Sequence, residues 1–225
     1  MIVIAFALRQ ESQDFRRALA AAGGRLGGEE IRVVHLGVGP QAAAAAVRLL
    51  AGGWPRFLVC AGFAGGLDPR LAAGDLVVAE NFSAPEFIAR AWETPHCFVG
   101  TLVSRDAPVE SIAEKTALAR ETGALAVDME TASVAAACRA AGVPLLALRV
   151  ISDPASVPLP VPFAEWFDVR RQCPRRWALL KYLLRHPSHI GPFTDFIRGL
   201  KPARRRLTEF LLRFVNTSPG SGAGI

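Results

Sequence analysis

Cysteine is scarce. The chain of 225 residues has four (Cys60, Cys97, Cys138 and Cys173), with no CxxC pair and no spacing suited to a metal. A disulfide-stapled scaffold and a zinc module are excluded, and buried thiols in a reducing cytoplasm are expected. Aromatic residues make up only 8%, beside abundant Ala, Val, Leu and Gly, a composition suited to helices lying close on a sheet. No stretch reaches the ~18 uninterrupted apolar residues of a membrane span. The start, MIVIAFALRQES, lacks the basic leader of a signal peptide and reads as a first buried strand. There is no GxGxxG fingerprint, no GK[ST] and no internal repeat. The histidines (His35, His96, His186, His189) share no spacing and are given no catalytic or metal role.

What is present is apolar mass and an uneven charge. Hydrophobic residues reach 51% and charged residues 20%, enough for a large core. The net charge of +6 is unevenly placed: residues 1–153 carry 14 cations and 16 anions, and residues 154–225 carry 12 and 4. The second part also holds nine of the 18 aromatics. Strand-like runs at 2–6, 31–36, 56–60, 75–79, 124–127 and 144–151 alternate with helix-like stretches at 11–22, 41–50 and 129–140. Such alternation predicts an α/β fold with a mixed, mostly parallel central sheet flanked by helices. PASVPLPVP after Asp153 marks a boundary or a lid-like loop. Beyond it, 175–185 and 204–214 read as basic amphipathic helices, and NTSPGSGAGI as a frayed end. The expected division is an α/β domain over 1–155 and a basic helical C-terminal extension over 156–225.

Open α/β sheets bind ligands beyond the carboxyl ends of their strands, so residues there are the candidates. The glycine-rich segment 60–67, CAGFAGGL, is either a ligand loop or a tight turn; its glycines, Gly62 among them, allow close backbone approach. Asp128 suits a helix cap. Glu130 either continues that role or faces a cavity and accepts two hydroxyl hydrogen bonds. Asp153 closes the most apolar strand. It is a turn residue before proline or a desolvated carboxyl with general-acid capacity. Glu11 is a solvated first-turn residue or a base for water. Arg9 pairs with an anion or a carboxylate.

Taken in order, the segments resemble one family. The sequence runs from a strand ending LxxE through GVGP and GxAGGLDPxLxxGDLVVA to VDMExASVAxxC and PxLxLRVISDPA. This resembles the nucleoside phosphorylase/nucleosidase superfamily over about residues 1–155. The superfamily includes purine nucleoside phosphorylases and methylthioadenosine/adenosylhomocysteine nucleosidases, which cleave N-glycosidic bonds. The resemblance implies that Asp153 protonates the departing purine, Glu130 binds the ribose hydroxyls and Met129 packs on the sugar. It implies that Glu11 activates water, with Ser152 and Arg149 supporting Asp153. It needs no metal and no cofactor, with phosphate as a possible co-substrate.

Two departures stand out. The phosphate-holding places of the phosphorylases match Cys60 and Phe63, neither of which can bind a dianion, which leaves water or a phosphate held through Arg9. Pro108 stands where nucleosidases stack the purine on a Phe, so Phe63 and Pro108 belong to an altered substrate pocket. The long basic tail is similar to the hopanoid-associated phosphorylase branch. That resemblance implies adenine release from adenosylhopane, a small-molecule adenosine-lipid substrate. The alternatives are a methylthioadenosine/adenosylhomocysteine nucleosidase and a non-catalytic nucleoside-binding module. In the tail, Trp177, Leu180, Tyr182, Leu183 and Leu184 sit among Arg175, Arg176, Lys181 and Arg185, and Phe210, Leu211 and Phe214 sit beside Arg204–Arg206. This pattern suits an anionic membrane surface or packing on the body or on a partner subunit. A cytoplasmic homo-oligomer, peripheral on the inner membrane face, is expected, with no nucleic-acid partner.

Overall fold

A computed structural model describes residues 1–39, 41–51, 55–91 and 94–217. Pro40 and 218–225 lie outside them; of the end expected to fray, 216–225, Asn216 closes α8 and Thr217 caps it. The elements run β1 (Ile2–Phe6), α1 (Gln13–Ala21), β2 (Arg25–Leu26), β3 (Glu29–His35), α2 (Gln41–Ala51), β4 (Leu58–Gly66) and β5 (Leu76–Ala79). They continue with α3 (Pro85–Ala91), β6 (Cys97–Gly100), β7 (Leu102–Ser104), α4 (Ile112–Thr122), β8 (Ala126–Asp128), α5 (Thr131–Ala141) and β9 (Leu145–Asp153). The last are α6 (Phe163–Trp166), β10 (Phe167–Asp168), β11 (Cys173–Pro174), α7 (Arg176–Arg185) and α8 (Ile190–Asn216).

One sheet of nine strands has the order β2-β3-β1-β4-β9-β5-β6, with β8 pairing β4 and β7 pairing β8. The centre (β3, β1, β4, β9) is parallel; β5 against β9 and β8 against β4 are antiparallel. The α/β expectation therefore holds. The central strands are covered on both faces, so they read as unbroken apolar runs. Alternation still sorts their side chains. Ile2, Ile4 and Phe6 join Phe15, Leu19, Leu207 and Leu211 on one face. Val3 and Ala5 join Ala42, Ala46, Val134 and Cys138 on the other.

One expectation needs correction, and one open choice is decided for α8. The glycine-rich segment is strand rather than loop: β4 continues through it to Gly66, paired with β9 from Leu58↔Leu145 onward. Glycines survive inside this strand because neighbouring groups fill the space a Cβ would take. For α8, packing on the body is the alternative that the structure shows. In α8, which runs through Pro202, Ala203, Leu207, Phe210, Leu211, Phe214 and Val215 are buried in the core cluster of the sheet. Phe214 meets Phe57 and Phe87 edge-on, at ring centroids of 6.2 and 5.6 Å. Phe210, Leu211 and Phe214 are thus unavailable to a membrane. On α7, Trp177 (78% exposed), Leu180 and Leu184 (72%) face solvent, whereas Tyr182 and Leu183 are half-buried.

Candidate active site

A cavity of about 170 Å³ opens where the carboxyl ends of β1, β4 and β9 meet the turn from β8 into α5. The strand pairing brings these segments together. A register shift between Ala64 and Gly65 sets Gly65 opposite Asp153, while β8 places Val127 against the same Gly65. A Cβ on Gly65 would stand 3.3 Å from Asp153 Oδ2 and 3.4 Å from Val127 Cγ1, so glycine lets both sides close in. Four carboxyls line the cavity: Glu11, Asp128, Glu130 and Asp153.

Asp153 is buried and fixed from two sides. Its Oδ1 lies 2.5 Å from Ser152 Oγ, and its Oδ2 takes the Lys115 ammonium at 2.6 Å. Burial pushes the carboxyl above the usual aspartate range, while the charge and hydrogen bond of Lys115 pull it down. Lys115 is fully buried and also donates to the carbonyls of Pro154 (2.9 Å) and Val157 (2.7 Å).

Glu130 stands just before α5, and its Oε1 accepts the Gly39 amide at 2.9 Å. Burial, with the nearby charge of Asp128, pushes it up to about 8. Asp128 turns away to a structural task. It accepts the amide of Thr131 at 3.1 Å, as a helix cap does, together with Ser104 Oγ and the Arg149 guanidinium. Arg149 reaches Asp128 at 2.7 Å, the Cys60 carbonyl at 2.8 Å and Cys60 Sγ at 3.3 Å.

Glu11 is buried in the turn between β1 and α1. Its Oε2 accepts the Leu8 amide at 2.8 Å and its Oε1 the Phe63 amide at 3.2 Å. Burial raises its pKa against those amides and the charge of Arg149. A Cβ on Gly62 would come within 3.0 Å of Glu11 Oε1, so that glycine makes room for the carboxyl.

Of the predicted residues, Glu11, Phe63, Pro108, Met129, Glu130, Ser152 and Asp153 all line this one cavity. Three do not. Gly62 lies behind Glu11. Arg149 supports Asp128 and Cys60 instead of Asp153, because Lys115 occupies that place. Arg9 is exposed, outside the lining, and so is no anion ligand of this cavity.

Three features escaped the sequence reading. Lys115 is one signal that was there to find: it is the sole lysine among the 14 cations of residues 1–153. Gln172 is held at a positive φ of 53° and pairs its amide with Val38, accepting from its N–H at 2.7 Å and donating to its carbonyl at 2.9 Å. It thereby fixes the stretch leading to Gly39. The third is a wall of Leu159, Phe163, Trp166, Phe196 and Leu200, contributed by the tail.

A family model described as the phosphorylase superfamily matches residues 8–97 and 85–173. A 5′-methylthioadenosine/S-adenosylhomocysteine nucleosidase of Baumannia cicadellinicola is 30% identical over 162 residues, 58% of this chain and 71% of the relative. The nucleosidase of the same description from Neisseria meningitidis, solved with methylthio-immucillin-A, superposes with a TM-score of 0.69 at 20% identity, covering 96% of this chain and 98% of its own. Futalosine hydrolase of Helicobacter pylori superposes with a TM-score of 0.58 at 26% identity, over 68% of this chain and 87% of its own.

Proposed function

The chain belongs to the phosphorylase superfamily and is an enzyme of N-glycosidic bond cleavage; from that premise we propose that it releases adenine from a 5′-substituted adenosine by hydrolysis. The carrying observation is that two buried carboxyls on separate segments, Asp153 and Glu130, border one cavity. Cleavage builds cationic character on the sugar and negative charge on the base. Asp153 gives its proton to the purine as the C–N bond breaks with its electron pair going to the base. Glu130 accepts the ribose hydroxyls. Glu11 takes the proton of a water whose oxygen joins the sugar carbon, so the products are adenine and a free sugar.

Water is favoured over phosphate by charge. Four carboxyls and no Lys, Arg or His line the cavity among the described residues, and a phosphate dianion there would meet repulsion without a partner. Adenosylhopane is the substrate we favour. The support is the apolar wall from the tail, which suits a large apolar 5′ group better than a charged one. Small nucleosides such as methylthioadenosine are the second reading, favoured by the relatives. The exposed face of α7 supports docking on an anionic membrane: Trp177, Leu180 and Leu184 lie between Arg176, Lys181 and Arg185, with no acidic residue in the helix. Each cation contributes about 1 kcal/mol near such a surface.

The test measures adenine release and sugar product from adenosylhopane, methylthioadenosine and adenosylhomocysteine, with and without phosphate. Free sugar from the lipid nucleoside, abolished by Asp153→Asn in a folded protein, is expected. Sugar 1-phosphate, or faster turnover of the small nucleosides, overturns the respective choice. Trp177→Ser with Leu184→Ser should lose flotation with anionic vesicles; undiminished flotation removes the membrane claim.

A further inference from the structure

Lys115 has no part in the steps above, yet its ammonium touches the carboxyl that starts them. It is fully buried on α4, a position lysine takes only when paired. Its Nζ has three close acceptors: Asp153 Oδ2, the Pro154 carbonyl and the Val157 carbonyl, at 2.6, 2.9 and 2.7 Å. An ammonium has three protons, so each finds a partner and the head cannot rotate away. Two of the acceptors belong to the chain directly after Asp153. One side chain therefore locks the acid and the segment that follows it into a single geometry.

We propose that Lys115 is the positioning residue of the acid: it fixes the Asp153 carboxyl toward the base and stabilises the carboxylate left when the proton departs. The inference rests on Asp153 being the acid. Its physical basis is differential. Before transfer the ammonium faces a neutral carboxyl, and after transfer an anion at 2.6 Å, so the attraction grows along the reaction. Among the described residues, no other cation competes for the role. The groups facing Asp153 are Lys115 from α4 and Ser152 from β9, and the remaining charged residues lining the cavity are Glu11, Asp128 and Glu130. Removing Lys115 therefore leaves a more weakly acidic donor, one that holds its proton to higher pH and gives it up more slowly.

Lys115→Met and Lys115→Gln are assayed on methylthioadenosine across pH. Gln keeps donors for the Pro154 and Val157 carbonyls but carries no charge. The expected result in both is a kcat lower by roughly 10-fold or more, a KM little changed, and an alkaline limb of kcat/KM moved up by about 1–3 pH units. A purely structural lysine would lower activity without moving that limb, and an unmoved limb in a folded variant overturns the proposal. A measurement on the unaltered chain guards against variants that fail to fold. With three lysines in the sequence, the 13Cε signals are separable, and methylthio-immucillin-A should shift that of Lys115 alone; an unshifted signal counts against the proposal. Asp153→Asn separates the two claims. If it stays active, the acid assignment fails. If it is inactive while the Lys115 variants keep the original limb, only the role of Lys115 fails.

Discussion

Glu130 Oε1 accepts the amide of Gly39 from 91 positions away in sequence, and this bond joins the turn before α5 to the end of the β3–α2 connection. Gly39 sits at φ +74°, a backbone conformation that aims its N–H inward and that glycine adopts without strain.

Glu130 should show itself in pH dependence. Its folded pKa of about 8 exceeds the free value of 4.5, so the native state holds a proton the unfolded chain has released. Its stabilising share is complete below pH about 4.5 and is lost as pH rises through about 8. Glu130→Gln removes that loss, and the variant should gain roughly 1–3 kcal/mol over the parent at pH 8 in urea unfolding. A ribose diol donating two hydrogens favours the carboxylate. Binding of methylthio-immucillin-A near neutral pH should therefore release protons, readable by calorimetry in buffers of different ionisation enthalpy, and Glu130→Gln should weaken that release.

Gly62→Ala should damage catalysis more than folding. The new Cβ would stand 3.0 Å from Glu11 Oε1, and that carboxyl is pinned by the amides of Leu8 and Phe63. A displacement of this kind costs up to about 100-fold in rate. The expected outcome is a kcat lower by roughly 10- to 100-fold with a Tm within a few degrees of the parent. An unchanged kcat would detach Glu11 from the chemistry.

Much of the candidate site was legible because the residues proposed to carry its chemistry sit where apolar runs end. Glu11 and Glu130 follow a strand and Asp153 closes one, and strand ends are visible in one dimension. The segment 60–67 misled because glycine usually signals a turn, whereas here Gly62 and Gly65 are small so that Glu11 and Asp153 can approach a strand. Arg149 was assigned to Asp153 through the family resemblance, but its guanidinium reaches Asp128 and Cys60 instead. Lys115 stood out as the sole lysine of residues 1–153, but its partner was out of reach because the pairing joins α4 to β9 across 38 positions. The tail stayed open between two readings for a related reason: an amphipathic helix reads the same whether its apolar face meets lipid or a sheet.

Arg149→Met should be among the most destabilising single changes. Its guanidinium satisfies Asp128, the Cys60 carbonyl and Thr131 Oγ1 in a buried cluster. Removing it strands a buried carboxylate, which costs about 3–5 kcal/mol. Adding Asp128→Asn removes the stranded charge and should return part of that loss. A double variant no more stable than Arg149→Met alone would show that packing, not charge, is the main role of the arginine.

The tail is tested most sharply by Leu211. It is wholly buried on the sheet face shared with Ile2, Ile4 and Phe15, so Leu211→Ala should cost about 2–5 kcal/mol in denaturant unfolding. A separable extension would predict no such cost, and it would also predict that residues 1–155 fold alone. Without α8, however, that fragment would expose the face formed by Phe15, Phe57, Phe87 and their neighbours. It should therefore lack a cooperative unfolding transition. Both results would tie the segment that walls the cavity to the segment that completes the core, because Phe196 and Leu200 lie on the same helix as Leu207 and Leu211. A change that loosens the second half of α8 should then raise KM for a nucleoside with an apolar 5′ group before it unfolds the protein, and Leu211→Ala assayed below its Tm reads that directly.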